Sequence, residues 1–234
     1  MKPSTLGCVT VLFILPSGPI LGTSSSAAAQ TGPAEDFVLP STIPIFPLQD
    51  ATLFPNSTAP FHIFEPRYRA MVADALEGDS IIGMVLLEPG HEAEYEGRPP
   101  IYAVGCAGII IRAEELPDGR YNIVLEGHMK FRVLSEDASR TYRLAEVEAL
   151  PEVIEEADRP QLAERRQQLE AALRAVSPET QMPPSDLPDE QVVDGLSMVL
   201  PIPPLDRQNL LEADGVIERA VRLLRHLSGN GPRA

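Results

Sequence analysis

Tryptophan is absent from the 234-residue chain, and lysine occurs only at Lys2 and Lys130. Arginine therefore carries nearly all of the positive charge, and the acidic residues outweigh it to give a net charge of -15 and a pI near 4.6. Such a protein repels a phosphate backbone, which argues against nucleic acid as its main ligand. An anionic membrane surface is disfavoured for the same reason. Cysteine is scarce too. Cys8 and Cys106 can build neither a disulfide framework nor a zinc site of the spaced-cysteine kind. The sequence has no G-x-x-x-x-G-K-[ST] loop to cradle phosphates, no G-x-G-x-x-G fingerprint and no G-x-S-x-G nucleophile elbow. No cofactor and no structural metal is indicated. The apolar run near the N-terminus is broken by Pro16, Gly18 and Pro19, so it falls short of the ~20 residues of a membrane span.

What is present can fold. A hydrophobic content of 44% suffices for a core. The first residues read as an address: Lys2, the apolar "GCVTVLFILP", then "TSSSAAAQ" with Ala27 and Ala29 spaced as a cleavage site before Gln30. Residues 1–29 are therefore expected to be a signal peptide, with the protein exported to a periplasmic or extracellular space. If translation instead starts later, the protein is cytoplasmic. Residues 30–40 read as a linker.

Strand signals fill residues 41–150. Apolar or β-branched runs stand at 43–48, 60–64, 80–88, 101–111, 120–127, 128–135 and 142–150, and "LPDGR" (116–120) supplies turn chemistry. One helix interrupts them at 66–77. Pro66 suits its first turn, and Tyr68, Met71, Val72, Ala75 and Leu76 share one face. After Pro151 helical periodicity takes over, in a subdomain of residues 151–228 with a short tail at 229–234. Helices are expected at 159–176 (Leu162, Leu169, Leu173 and Val176 inward), 189–200, 206–213 and 214–227. The last has Ile217, Ala220, Val221 and Leu224 as its stripe and Asp214 as its cap. Strands followed by helices make an α+β fold, with the sheet curled into a small barrel.

Candidate chemistry is thin. His62 and Glu65 straddle a strand end and a proline, so they share no helix face and make a poor metal pair. Glu65 is expected beside the first turn of the following helix, where negative charge is favoured, or paired with Arg67 or Arg69. Lys130 alternates onto the face of Arg132, which predicts a solvated strand face rather than the base of a Ser–Lys dyad. Cys106, in "VGCAG", lies among apolar neighbours that make a thiol inert.

The stretch "IPIFPLQDATLFPNSTAPFHIFEPRYRAMV" (43–72) resembles the opening of the N-terminal substrate-binding domain of Lon-type ATP-dependent proteases. Phe46-Pro47-Leu48, Leu53-Phe54-Pro55 and Phe61-His62-Ile63-Phe64-Glu65-Pro66-Arg67-Tyr68 carry the likeness. "IGMVLLEPG", "VGCAGII", "LPDGRYNIVLEGHMKFRV" and "DRQNLLEADGVIERAVRLL" follow in the family's order. The resemblance implies a six-stranded pseudo-barrel of the pseudouridine-synthase-and-transglycosylase-like type with one packed helix, followed by a helical bundle. It implies structural roles for Phe46, Pro47, His62, Phe64, Glu65, Pro66, Arg67 and Tyr68. It also implies a non-catalytic module for unfolded or partly folded polypeptide, with a separate protease as a further partner. Neither the ATPase nor the protease module of that family is recognisable in these 234 residues, so ATP hydrolysis and proteolysis are not carried over. Apolar residues in proline-rich or loop segments, Phe54, Pro55 and Tyr95, are the expected polypeptide contacts. The rival reading is a cell-envelope protein that takes a small molecule or carbohydrate in the barrel mouth.

Overall fold

The computed structural model describes residues 37–91 and 97–229. The expected signal segment and Tyr95 lie outside the described residues. Six strands come first: β1 (Thr42–Leu48), β2 (Thr58–Ile63), β3 (Ile81–Leu86), β4 (Val104–Glu115), β5 (Tyr121–Asp137) and β6 (Arg143–Leu150), with helix α1 (Pro66–Glu77) between β2 and β3. A 3-10 turn (Glu156–Asp158) leads into α2 (Arg159–Val176), α3 (Asp189–Val199), α4 (Pro204–Leu211) and α5 (Gly215–Leu227).

The runs at 120–127 and 128–135 are one strand of 17 residues, not two. Gly127, which reads as a break, is a bend. A Cβ there would lie 2.1 Å from the Phe54 carbonyl oxygen, so only glycine lets the β1–β2 loop come so close. The length of β5 also decides the topology. Its first half pairs with β2, its second half with β6, and β4 runs along its other side. The order β2-β5-β4-β3-β1-β6 therefore closes on itself through the β5–β6 pairing. Five strands make a ring, and β2 stands outside it, paired with β5 alone. All pairings are antiparallel except β1–β3, which the β2–α1 crossover makes parallel.

Alternate residues of the ring strands go to opposite sides. Ile43, Ile45, Ile81, Val85, Ala107, Phe131, Ala145 and Val147 form one cluster, drawn from all five ring strands and from no helix, so it fills the lumen. Phe131 occupies the centre. A Cβ on Gly83 or Gly105 would come within 2.8 or 2.6 Å of its ring, so both glycines yield their volume to it. These side chains fill the lumen between the strands. The larger cluster lies outside the ring. Phe46, Ile82, Met84 and Leu125 meet α1 and the inner faces of the helices there, among them Leu169, Val192 and Leu223.

Helix α1 buries Tyr68, Met71, Val72 and Ala75, as its periodicity predicts, but Leu76 is exposed. In α2 and α5 the buried face contains an arginine. Arg166, not Val176, joins Leu162, Leu169 and Leu173 inside. In α5 the buried set is Val216, Arg219, Ala220 and Leu223, while Ile217 and Leu224 only border the core. Asp214 holds the N-cap position of α5 but makes no side-chain cap hydrogen bond. Arg166 is explained by what it holds: it donates to the carbonyls of Pro184 and Leu187 at 2.8 and 2.6 Å and pairs with Asp189 and Glu170, pinning the 177–188 loop onto α2.

Candidate functional site

Polar chemistry concentrates in two places. The first is the junction of barrel and bundle. Lys130 points out of β5 into this junction, so the solvated strand face expected for it is wrong. Its ammonium donates to the Ala213 carbonyl at 2.8 Å and pairs with Glu152 at 2.9 Å. Glu152 in turn accepts both 2.7 and 2.8 Å hydrogen bonds from one Arg219 nitrogen. Arg219, fully buried, also pairs with Asp194 of α3 and donates to the Leu210 carbonyl. The Asn56 carboxamide completes the set with a 2.9 Å bond to Asp194. Asn56 sits at φ 56°, a conformation asparagine tolerates, which aims its side chain at α3. Two cations and two carboxylates thus neutralise one another in the interior.

Burial pushes the Asp194 carboxyl up to about 6, against the pull of Arg219 and Asn56. Burial works against the Arg219 charge, but Asp194 and Glu152 outweigh it and its pKa is raised. Cys106 lies within reach of this field. Burial first, then Asp194, drive its thiol pKa far upward, so it is a core side chain and no nucleophile. Lys130 is an ammonium clamped by a carboxylate and a carbonyl, and neither partner is a serine. The cluster ties β5, the segment after β6, α3 and α5 together.

Phe54 belongs to this junction. It was expected to stay exposed in its proline-rich turn, yet it is 0% accessible and its ring lies 5.5 Å from the Arg219 guanidinium carbon. Pro55 is buried beside it. The reason is local: Ser57 Oγ donates to the Phe54 carbonyl at 2.6 Å and accepts from its N–H, which turns the loop inward under Gly127. Phe54 is thus withdrawn from the surface, and Pro55 borders a cavity of about 360 Å³ that Asn56, Lys130, Glu152 and Asp194 also line.

Within the β2–α1 joint, several residues of the motif are packed against one another. Phe46 and Tyr68 meet edge to face with centroids 4.7 Å apart, Pro47 is buried, and Arg67 lies 4.6 Å over the Tyr68 ring. Glu65 pairs with Arg67 at 2.9 Å, and Pro66 opens the helix. His62 and Phe64 are different. Both are exposed, and Phe64 is 61% accessible. Among the described residues it is the single aromatic side chain in the set of large exposed apolar ones.

These two residues mark the second place. β2, the first half of β5 and the outer part of β4 project past the ring as a three-stranded arm. One face of the arm packs on the core through Ala59, Ile63, Ile123 and Leu125. Its other face is concave and open, with about 430 Å³ of space bounded by Pro60, His62, Arg112, Glu114, Asn122 and Val124. Arg120 reaches His62 Nε2 at 3.1 Å. An arginine only donates, so Nε2 is the acceptor and the proton sits on Nδ1, which donates to Asn122 Oδ1 at 2.8 Å. Asn122 then reaches Glu114 at 3.4 Å. Phe64 stands at the end of this ladder with its ring centroid 6.4 Å from that of His62. At the tip, Gly119 (φ 76°) forms the expected turn beneath Arg69 of α1. Among the described residues no cluster of three or more His, Cys, Asp or Glu could hold a metal, and no helix is long and apolar enough to cross a membrane. The joint's exposed half was missed because its apolar residues look alike in sequence; only the position of β2 outside the ring tells them apart.

Comparison with known proteins places this geometry. The profile of the ATP-dependent protease La (LON) substrate-binding domain matches residues 42–229. A Lon protease of Anaeromyxobacter dehalogenans is 24% identical over 204 residues, which is 80% of this chain and 24% of that protein. Lon protease 2 of Syntrophobacter fumaroxidans is 32% identical over 114 residues, covering 49% of this chain and 14% of that protein. The chain thus spans about a quarter or less of the Lon proteases it matches. The Lon N-terminal domain protein from Xanthomonas campestris superposes with a TM-score of 0.57 at 25% identity, over 82% of this chain and 99% of that one. The N-terminal domain of Mycobacterium avium complex Lon protease gives 0.59 at 18% identity, over 81% and 98%, a likeness of fold.

Proposed function

Because the chain belongs to the family of Lon substrate-binding domains, we propose that it is a non-catalytic module that holds unfolded polypeptide through exposed apolar segments, with Phe64 as the anchoring contact. The observation that carries this reading is the 61% exposure of Phe64 at the end of a strand that lies outside the barrel ring. Burying a phenylalanine side chain is worth about 1.5–3 kcal/mol, so a partner that covers Phe64 gains affinity from it. The non-catalytic part is supported by the matched region, which is the substrate-binding domain of those proteases rather than a catalytic one. It is supported too by the buried ionisable groups, which are engaged with one another. The client is a chain with exposed apolar segments, handed on to a separate protease, and the encounter takes place outside the cytoplasm after removal of residues 1–29.

Purified protein should slow the aggregation of chemically denatured citrate synthase without ATP, and Phe64→Asp should abolish most of that effect. Equal protection by Phe64→Asp, or cleavage of casein by the wild-type protein alone, would overturn the reading. Sequencing of the N-terminus of protein recovered from its native host should begin at or near Gln30; an intact Met1 would remove the export proposal.

A further inference from the structure

Among the described residues the outer edge of β2 has no paired strand, and its main-chain groups follow a pattern. Gly127 donates to the Ser57 carbonyl, which fixes the phase of the β2–β5 ladder. Ala59, Phe61 and Ile63 turn their main-chain groups toward β5, and Thr58, Pro60 and His62 turn theirs away. Thr58, Pro60 and His62 are all exposed, and β2 is the terminal strand of its sheet. The edge therefore presents two N–H donors, at Thr58 and His62, and three carbonyl acceptors, at Thr58, Pro60 and His62. Pro60 costs the β5 ladder nothing, because its missing donor would have faced outward.

We propose, building on the polypeptide-binding reading above, that a client binds by adding an extended strand to this edge, with Phe64 gripping an apolar side chain at the end of the added strand. Main-chain pairing explains how one site accepts clients of unrelated sequence, since every extended segment offers the same N–H and C=O groups. A second copy of this chain is a poor occupant for two reasons. Antiparallel pairing of two β2 edges about their centres sets Pro60 against Pro60, where neither supplies a donor. Two chains of net charge -15 also repel. The overall charge favours the approach of a neutral or basic chain over an acidic one. Pro60 thus guards against self-pairing while leaving the flanking donors to a foreign strand.

The test uses reduced, carboxamidomethylated lysozyme, a permanently unfolded basic chain, as the probe, and the whole protein labelled for amide-exchange NMR. The Thr58 and His62 amides should exchange freely in the protein alone and slow by about tenfold or more when the probe is bound. His62→Pro removes one outward donor together with the imidazole's bonds to Asn122 and Arg120. It is therefore compared with His62→Ala, which loses the imidazole alone. The proline variant should bind the probe about tenfold more weakly than the alanine variant, with the same circular dichroism spectrum. If that variant fails to fold, the amide protection in the wild-type protein decides alone. Binding that Phe64→Asp abolishes, but that leaves both amides unprotected, would overturn strand addition while the polypeptide-binding reading stands. No binding of the probe at all would overturn both. Protection of the same amides by self-association, seen as a dimer in sedimentation without probe, would overturn the choice of occupant.

Discussion

Phe54 and Phe64 stand ten residues apart on either side of β2, each close to a proline, and the fold uses them in opposite ways. Phe54 is fully enclosed at the junction of barrel and bundle, over Arg219 and beneath Gly127. Phe64 leaves most of its ring in water at the end of a strand that has a neighbour on one side only. The difference lies in what surrounds each one. The junction brings together segments from β5, the chain after β6, α3 and α5 and pairs its buried charges with one another. The edge of β2 ends the sheet and has nothing described beyond it. One region is built to stay shut, and the other is left open at a cost the rest of the fold must bear.

The comparison breaks most plainly at Phe54. Phe54→Ala should destabilise the protein by about 3–5 kcal/mol, since it opens a cavity in a site that Gly127 and Ser57 prevent from collapsing. Urea denaturation would measure it. A loss below about 1 kcal/mol would mean that the junction is loosely packed and that Phe54 is available to clients after all.

Arg219 probes the charges of the same junction. Arg219→Met fills similar volume but leaves Asp194 and Glu152 buried without their main partner, and should cost about 3–5 kcal/mol in the same measurement. Adding Asp194→Leu should recover part of the loss, because an uncompensated buried charge is then removed. No recovery would show that the guanidinium matters for its hydrogen bond to the Leu210 carbonyl rather than for charge balance.

A smaller effect follows from Asp194 alone. Its carboxyl pKa is raised in the folded protein from an ordinary 3.8 to about 6, so the folded state holds a proton that the unfolded chain has released. The stability this group contributes is therefore fully present below pH 3.8 and is lost as pH rises through about 6. Asp194→Asn should flatten that part of the pH–stability curve between about pH 4 and 6. Unchanged curvature in that window would place the titration elsewhere.

Much of this was legible beforehand, and the remainder was hidden for identifiable reasons. The 3.6-residue stripe of Tyr68, Met71, Val72 and Ala75 names the face of α1 that is buried, and "LPDGR" names a turn that Gly119 makes with positive φ. The α+β order, and the family resemblance of 43–72, hold in the structure. Periodicity fails where charge goes inside. Lys130 reads as solvent-facing, and the apolar stripe read for α5 passes over Arg219, because their partners lie far along the chain: Asp194 is 25 residues from Arg219, and Glu152 is 67. A window of a dozen residues contains no trace of them. Exposure was misjudged for a related reason. A phenylalanine beside a proline gives the same local signal in a sealed loop and at an open edge, and the deciding fact, that β2 pairs on one side only, is set by the ring closure between β5 and β6. Residues 101–103 read as strand yet precede β4, and the two halves of β5 read as separate strands, because a glycine marks a stop and a bend equally well.

The smallest expected effect sharpens the comparison furthest. Phe64→Ser removes an aromatic ring as large as the one removed at Phe54, but from a position where the ring is mostly in water. Its ring stacks beside that of His62 at a centroid separation of 6.4 Å. Stability in urea should change by less than about 0.5 kcal/mol, the range of surface substitutions. It should rise slightly if the exposed ring favours compact unfolded states. Binding of unfolded lysozyme should fall in the same variant. A residue that contributes nothing to its own fold and much to a complex is kept for the complex. A measured destabilisation of 2 kcal/mol or more, well above that surface range, would place the Phe64 ring against part of the chain and make it a second Phe54.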